Sequence, residues 1–538
     1  MGVALLSIGL ISFVIATCTY ARWLEKKWGI DPSIVTPAHR LQDGVDYVPT
    51  SVAVLFGHHF ASIAGAAPVV GAITASMWGW LPVFLWIMIA CIFIGGVQDF
   101  GALFASVRHG GRSIGEVIKA YVGVGGKKLF AAFAWFTTVL LMAAFLDIVA
   151  GTFISTPEAA TASVLFILLA IVFGIATVRF GLSLPIASVL GVILVFISIW
   201  AGVSYPLNIS HTAWVMILLV YVYIASIAPV WILLQPRDYL NSFLLYAMMI
   251  GSVIGIFIYR PSFELPVATT FVAGGRPLFP ILFVTLACGA VSGFHSLVGS
   301  GTTSKQLNNE KDARIVGYGG MLLEGSLALI ALVTVAYLKP DILVEFRKLG
   351  PIYIFSHGVG TFISALGIDF ALAQTFGALA LSAFAMTTLD TAARLARYIF
   401  QEYMAGGEEV DVAEKRGDIF VNRYVSTACG CVLAGILAFY GYLRIWPIFG
   451  SANQLLASLT LITLILWMKS MGRTYTMFIY PMIFMAVVTL SALLFIIYTN
   501  FPANIPLVVI AIILFILAIV LFKKASSAFK GDNKVSNL

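Results

Sequence analysis

Hydrophobic runs of about 20 residues recur along the whole chain, and they limit its fold more than any other feature. A run of about 20 apolar residues is what an α-helix needs to cross the hydrocarbon core of a bilayer. Of the 538 residues, 61% are hydrophobic and 10% are charged, whereas a soluble protein has about 25% charged residues. The bilayer must therefore be the solvent, and the sequence predicts an all-α polytopic membrane protein.

The runs predict about 15 transmembrane helices. Their approximate limits are 3–20, 50–73, 78–97, 129–154, 161–178, 183–203, 212–234, 239–259, 278–300, 315–338, 370–390, 420–441, 446–468, 475–498 and 502–522. Residues 351–367 are apolar but short and Gly-rich, and we interpret them as a half-helix or re-entrant segment. The first run lacks a basic segment and an A-x-A cleavage site, so it is predicted to be a retained helix.

The basic residues predict the orientation of these helices. Of the 31 Lys and Arg residues, only a few fall on one side of the predicted spans, namely Arg260, Arg276, Lys339, Arg347, Lys348 and Arg444. Because Lys and Arg accumulate on the cytoplasmic side, we expect the N-terminus outside and the C-terminus inside. The net charge of +7 is thus a topology signal and does not indicate nucleic acid as a partner.

No soluble domain is predicted. The longest polar stretches, at about 21–49, 98–127 and 391–419, are too short for an independent core. They contain no Walker A motif and no G-x-G-x-x-G beside a strand, which argues against ATP-driven pumping by this chain alone. The cysteines lie in apolar runs without metal-ligand spacing, so we predict packing roles and neither a metal nor a cofactor for Cys18, Cys91, Cys288, Cys429 and Cys431.

Helix-breaking and polar residues interrupt the second predicted span. Residues 56–71 contain His58 and His59, followed by Gly65 and Pro68. Adjacent helical residues point about 100° apart, so one histidine can face a polar cavity while the other packs. This composition is typical of a discontinuous helix at a solute site, where a histidine could titrate near physiological pH.

A second interrupted stretch covers residues 289–306, in the predicted span 278–300. We expect its small, hydroxyl and imidazole side chains to contribute to the site, namely Ser292, Gly293, His295, Ser300, Thr302 and Thr303. The two stretches are an odd number of spans apart, so they cross the bilayer in opposite directions. Inverted-repeat transporters arrange their two discontinuous helices in this way. The alternative is a Gly-lined contact between helices.

Two acidic residues lie well inside predicted spans, and each costs about 2.5–3.5 kcal/mol at a helix centre unless it faces a cavity or a partner. Glu324 lies near the middle of its span and is our first candidate for carrying a proton, the alternative being a structural hydrogen bond. Asp147 lies nearer the outer end and is the second. A third interrupted helix start, 446–454, offers Asn453 and Gln454 to the path.

Polar pairs also close two spans on the predicted inner side. Gln98 and Asp99 end the third span, and Asp390 and Arg394 have the four-residue spacing of an intrahelical ion pair. We interpret both pairs as gating or structural features, such as a cytoplasmic latch, before transport chemistry.

These motifs resemble the carbon starvation protein CstA family of membrane transporters. The matching segments are 36–40, 43–49, 56–71, 97–100, 236–240, 287–303, 317–324, 446–456, and Asp390 with Arg394 and Arg397. The resemblance implies a LeuT-like inverted-repeat core of the amino acid–polyamine–organocation transporters. It also implies that 1–338 is the N-terminal transmembrane region with both broken helices, and 339–538 the C-terminal one. Asp147 matches no family motif.

The family is implicated in the uptake of peptides and of pyruvate during nutrient limitation, the latter coupled to protons. We therefore expect a secondary active transporter in the cytoplasmic membrane that imports a small carboxylate such as pyruvate, or short peptides, with protons or sodium. A channel would need rings of like residues, which the sequence does not display. An intramembrane metal enzyme would need a motif such as H-E-x-x-H, which is absent.

Overall fold

The computed structural model of the chain is mostly α-helical, and it describes residues 1–43, 47–229, 232–406, 413 and 416–530. The first helices are α1 (Gly2–Cys18), α2 (Tyr20–Trp28), α3 (Pro37–Arg40), α4 (Val52–Ala64), α5 (Ala67–Ala75), α6 (Trp80–Ala90), α7 (Gly96–Arg108), α8 (Ile114–Val122), α9 (Val124–Ser155), α10 (Pro157–Val178), α11 (Leu184–Ser204), α12 (His211–Ile227) and α13 (Leu234–Tyr259). The strands β1 (Val272–Ala273) and β2 (Arg276–Pro277) pair antiparallel.

The remaining helices are α14 (Leu278–Thr285), α15 (Gly293–Gly301), α16 (Gly320–Ala336), α17 (Pro340–Leu349), α18 (Pro351–Ser364), α19 (Phe370–Met404), α20 (Arg423–Ala438), α21 (Tyr442–Ser470), α22 (Thr476–Asn500) and α23 (Ile505–Lys530). Short 3-10 turns follow α5 at Ser76–Trp78 and α15 at Thr303–Lys305. The all-α polytopic architecture is therefore confirmed.

The number of spanning helices differs from the prediction. Over the described ranges, 11 helices are long and apolar enough to cross a membrane, or 12 if the bent pair α4–α5 counts as one span. The predicted runs 212–234 and 420–441 fall on the shorter helices α12 and α20. The run 278–300 is divided between α14 and α15. The count of about 15 is thus not confirmed.

The first broken helix bends by 47° between α4 and α5. Gly65 at the break has φ +46°, and a Cβ there would lie 2.6 Å from Oγ1 of Thr388 on α19. Only glycine meets both conditions at no cost. Pro68 lies in the first turn of α5, where a missing N–H does no harm.

The second broken helix is unwound between α14 and α15. Residues 286–292 cross the bundle without helical structure. A Cβ on Gly289 would lie 3.0 Å from Cα of Pro68, so the two breaks are in contact. The predicted pair of discontinuous helices is therefore present, and the helices meet at their interruptions.

Each broken helix is followed by a span that contains a π-helical turn. These turns are Cys91–Gly95, between α6 and α7, and Arg314–Gly319, before α16. Helix α5 packs against α16, and α15 packs against α7, so each broken helix contacts the π-containing span of the other half. This reciprocity is what two repeats of opposite orientation produce.

The segment 351–367 forms the short helix α18, which is 14 residues long. It follows α17, which buries only Leu343. A helix of 14 residues rises about 21 Å, which is less than the hydrocarbon thickness. The interpretation as a half-helix agrees with this length.

We expect Gly65→Ala to lower the unfolding temperature of the purified protein and to reduce transport. The backbone conformation costs a residue with a side chain about 1–3 kcal/mol, and the new methyl group would displace Thr388. Gly151→Ala is the control, because nothing lies within 4 Å of a Cβ at that helical position. Equal thermal stability of both variants would contradict the argument.

Candidate functional site

Three ionisable side chains form a buried chain in the bundle. His295 on α15 places Nδ1 2.8 Å from Oδ2 of Asp99 on α7, and these atoms are hydrogen-bonded. Its Nε2 lies 3.1 Å from Oε2 of Glu324 on α16. The three residues are 1%, 2% and 0% exposed, respectively. An imidazole between two carboxyl groups is the arrangement of a proton shuttle.

The carboxyl group of Glu324 receives no hydrogen bond from Asp99 or His295. The contact with His295 lacks hydrogen-bond geometry, and within the described part of the protein neither oxygen of Glu324 has a hydrogen-bond partner. Native proteins rarely leave buried polar atoms in this state, and an explanation such as proton exchange is required. Glu324 is therefore the least stabilised member of the chain.

Side chains from neighbouring helices satisfy carbonyl groups in and around the second break. The pairs are Trp446 Nε1 with Thr285 O (2.9 Å), Trp86 Nε1 with Leu286 O (3.1 Å), Gln454 Nε2 with Phe283 O (2.7 Å), Cys91 Sγ with Gly289 O (3.3 Å) and Gln98 Nε2 with Ser292 O (2.8 Å). Free carbonyl groups at this depth would each cost several kcal/mol. These donors therefore stabilise the unwound conformation.

The two helix N-termini at the breaks differ. Asn453 caps α15, because its Oδ1 accepts a hydrogen bond from Phe294 N at 2.9 Å. Its Nδ2 donates to Ser292 Oγ at 3.0 Å and to Cys288 Sγ at 3.1 Å. The N-cap residue of α5 is Ala66, which provides no side-chain acceptor to the first turn. The positive end of α5 is thus not neutralised by its own cap residue, and a negatively charged group there would be favourable.

His59, and not His58, faces the second broken helix. Its Nδ1 lies 2.9 Å from Oγ1 of Thr303, and the residue is 1% exposed. A Cβ on Gly320 would lie 3.1 Å from Cδ2 of the same ring, which places His59 between α15 and α16. His58 is half-buried.

Three of the expected residues in or directly after α15 make contacts that serve the packing of the helices. Ser300 Oγ accepts a hydrogen bond from Ile114 N at 3.0 Å, at the start of α8. Thr302 donates to Val298 O within its own helix. A Cβ on Gly293 would lie 2.5 Å from the backbone nitrogen of Ala457, so this glycine permits close packing against α21.

Asp147 is placed outside the buried chain. Its Oδ2 accepts a hydrogen bond from Tyr442 N at 2.6 Å, and its Oδ1 lies 2.9 Å from Nε2 of His211. These partners begin α21 and α12. The structure therefore gives Asp147 a capping position, and it does not bring this carboxylate to Glu324.

The predicted ion pair between Asp390 and Arg394 is wrong. Asp390 pairs with Arg237 of α13. Arg394 donates to the backbone carbonyls of Ala225 at 3.0 Å and Ala228 at 2.7 Å, at the end of α12. A helical spacing of four permits an ion pair, but two unsatisfied carbonyl groups compete for the guanidinium.

Sequence reasoning missed Arg237 and Ser296. Arg237 lies between the predicted spans 212–234 and 239–259, yet it is 0% exposed. The resemblance of residues 236–240 to a family motif was the available signal. Ser296 lies next to Gln98, and its four-residue spacing from Ser292 and Ser300 marks one polar face of α15.

The described residues include no group of three or more His, Cys, Asp or Glu side chains arranged to hold a metal ion.

A helical membrane bundle with two interrupted helices in contact beside a buried acid–imidazole–acid chain defines the class of protein, a membrane transporter and not an enzyme. The family follows from the sequence comparison. The family profile of carbon starvation protein CstA matches residues 1–349 and 344–492, and the chain belongs to this family. Of one matching segment, 43–49, residues 44–46 lie outside the described residues.

Curated relatives include two transporters of Escherichia coli K12. The chain is 32% identical to the peptide transporter CstA, over 89% of this chain and 79% of that protein. It is also 32% identical to the pyruvate/proton symporter BtsT, over 86% of this chain and 76% of that protein. The peptide transporter CstA of Bacillus subtilis is 34% identical, over 79% of this chain and 78% of that protein.

Solved structures with a similar course of the chain include a manganese transporter from Eremococcus coleocola, with a TM-score of 0.48 and 11% identity over 91% of this chain and 98% of that chain. MhsT in complex with L-phenylalanine has a TM-score of 0.47 and 12% identity, over 89% of this chain and 99% of that chain.

We expect Asn453→Ala to destabilise the protein by about 1–2 kcal/mol, the usual cost of removing a helix cap. The variant exposes the Phe294 N–H to an apolar interior and removes the link to Ser292. Unfolding temperature in detergent is the measurement. Asn500→Ala is the matched control, because Asn500 donates to Ile496 O within its own helix. An equal effect of both substitutions would exclude the capping role.

Proposed function

We propose that the protein is a proton-coupled symporter that imports a small carboxylate such as pyruvate, or short peptides, across the cell membrane. The observation that carries this proposal is the buried Asp99–His295–Glu324 chain, which links both halves of the bundle. The printed functions of the relatives, peptide transport and pyruvate/proton symport, support the same substrate classes.

The charge balance of the three residues Asp99, His295 and Glu324 supports proton binding. Two ionised carboxylates beside a neutral imidazole would place two negative charges in a site with almost no solvent exposure. Burial of unpaired charge is strongly unfavourable, so the buried site favours a state in which bound protons leave these three residues with no net charge. A movement that admits water to Glu324 would permit release of its proton.

The substrate position that best fits the geometry is the contact between the two breaks. Pro68 and Gly289 meet there, and the uncapped N-terminus of α5 favours a negatively charged group. Gly289 belongs to the same unwound segment that leads into α15 and His295. A solute that reorders residues 286–292 would therefore change the surroundings of the proton chain. This connection is the proposed basis of coupling.

The orientation that we propose is N-terminus outside and C-terminus in the cytoplasm. The backbone nitrogen of Gly2 donates to Pro261 O at 3.1 Å, so the N-terminus shares a face with the sparsely basic loop after α13. On the other face, Lys469 donates to Phe529 O at 2.6 Å. Enrichment of basic residues on the second face supports a cytoplasmic location for it.

Uptake of labelled pyruvate and of labelled dialanine into proteoliposomes tests the proposed function. We expect an inward proton gradient to drive accumulation of at least one of them, because each solute molecule would enter together with a proton that moves down its gradient. An uncoupler should abolish the accumulation. A sodium gradient without a proton gradient is the parallel arm, and accumulation in that arm alone would replace protons by sodium.

The variant Glu324→Gln should lose accumulation while retaining exchange of substrate across the membrane. Glutamine preserves the shape of the side chain but cannot release a proton. Glu345→Gln on the exposed face of α17 is the control for a lost carboxylate. Unchanged concentrative uptake by the Glu324 variant would remove this residue from coupling.

Reporter fusions test the orientation. A fluorescent protein that matures only in the cytoplasm should fluoresce at the C-terminus and remain dark at the N-terminus. The opposite pattern would reverse the assignment of faces, and it would leave the site geometry unaffected.

A further inference from the structure

The protein contains a second buried cluster of charged side chains, which shares no residue with the Asp99–His295–Glu324 chain. Arg237 on α13 is 0% exposed, and its guanidinium pairs with Asp390 on α19. The same guanidinium group donates to the hydroxyl of Tyr221 on α12, which in turn donates to Asp390 Oδ2 at 2.9 Å. Ionisable residues in membrane-spanning helices are expensive and generally mark the path of a substrate or ion.

One guanidinium group serves two carboxyl groups in this cluster. Asp238 Oδ1 lies 3.5 Å from Nη2 of Arg237, in addition to the pair with Asp390. Arg394 lies one turn after Asp390 on α19, and it donates hydrogen bonds to two backbone carbonyl groups at the end of α12. Arg237 and the two carboxyl groups therefore carry one net negative charge when both carboxyl groups are ionised, and a proton on Asp390 removes it.

Two polar atoms of the central pair have no hydrogen-bond partner among the described residues. These are Nε of Arg237 and Oδ1 of Asp390, and both belong to fully buried side chains. A guanidinium group presents five donors in a planar fork that matches a carboxylate. The unfilled positions fit an incoming carboxylate at Arg237 and a proton at Asp390.

The cluster borders the first helix break. Thr388 lies two residues before Asp390 on α19, and its buried hydroxyl also has no partner within the described ranges. This hydroxyl group is the atom that a Cβ on Gly65 would approach to 2.6 Å. The helices α13 and α19, which carry Arg237 and Asp390, both pack against α4, so the charged cluster lies between helices that contact the first half of the first broken helix.

We infer that Arg237 binds the carboxylate of the transported anion, and that Asp390 occupies its guanidinium when the transporter is empty. Protonation of Asp390 frees the guanidinium, and the substrate carboxylate takes the vacated position. Arg237 stays paired throughout, and the proton and the anion add no net charge to the interior. The inference rests on the proposed function and extends it to the residue that recognises the anion.

Equilibrium binding to the full chain in detergent tests this role without any gradient. The anionic probes are pyruvate and dialanine, and their neutral counterparts are pyruvamide and alanyl-alaninamide. We expect the double variant Arg237→Gln/Asp390→Asn to bind the anionic probe about 10- to 100-fold more weakly, the range for loss of a charged hydrogen-bond partner. Binding of the neutral counterpart should not change.

The double variant is preferred because removing Arg237 alone leaves two buried carboxylates unpaired and favours misfolding. Asp390→Asn alone should bind the anion more tightly, because its competitor for Arg237 has lost its charge. Arg423→Gln, at an exposed position on α20, is the control for a lost arginine.

A folded double variant that distinguishes the anion from its amide as well as the unmodified protein does would overturn the inference. So would a result in which only thermal stability changes, since that describes a structural ion pair. If the unmodified protein binds neither anionic probe, the carboxylate assignment fails. Loss of proton-driven uptake with intact anion binding would instead refute the proposed coupling and leave Arg237 in place.

Discussion

Inside a bilayer, a peptide segment that leaves its helix must find hydrogen-bond partners within the protein, and this requirement organises the whole bundle. The unwound residues 286–292 are held by donors from α6, α7 and α21, the helices that carry Trp86, Gln98 and Asn453. Close packing follows from the same need, because glycines at 65, 289 and 293 permit neighbouring helices to approach the breaks. The site is therefore where backbone polarity, small residues and side-chain donors are concentrated.

The second constraint is the cost of buried charge. Two arrangements in this protein reduce that cost. His295 places an imidazole between two acids, and Arg237 shares its guanidinium between two acids. The first arrangement can become neutral by binding protons. In the proposed mechanism the second keeps its net charge, because protonation of Asp390 accompanies the binding of a substrate anion. Both clusters border a broken helix. Movement of the breaks would therefore alter both charge balances, which is a physical route to coupling.

Local features of this protein were predictable from the sequence, whereas contacts between distant residues were not. Local signals were reliable at Gly65 and Pro68, because a glycine and a proline in an apolar run have few structural explanations. His295 and Glu324 were both predicted, but only as separate candidates on different helices. Their contact with Asp99, which was interpreted as a gating residue, depends on the packing of α7, α15 and α16. Asp390 and Arg394 have the spacing of an ion pair, yet Asp390 pairs with Arg237 and Arg394 donates to the end of α12, partners that are distant in the sequence.

Solvation by the bilayer, the helical secondary structure and the family of this protein all follow from the sequence alone. These properties depend on neighbouring residues, namely on apolar runs, on the distribution of basic residues and on the long motifs. They can be recognised without knowledge of the fold. Tertiary structure decided which polar side chains meet. Contacts such as those between His59 and Thr303 or between Arg237 and Asp390 join residues 244 and 153 positions apart. No local pattern specifies such a distance, because helix packing alone determines which faces come together.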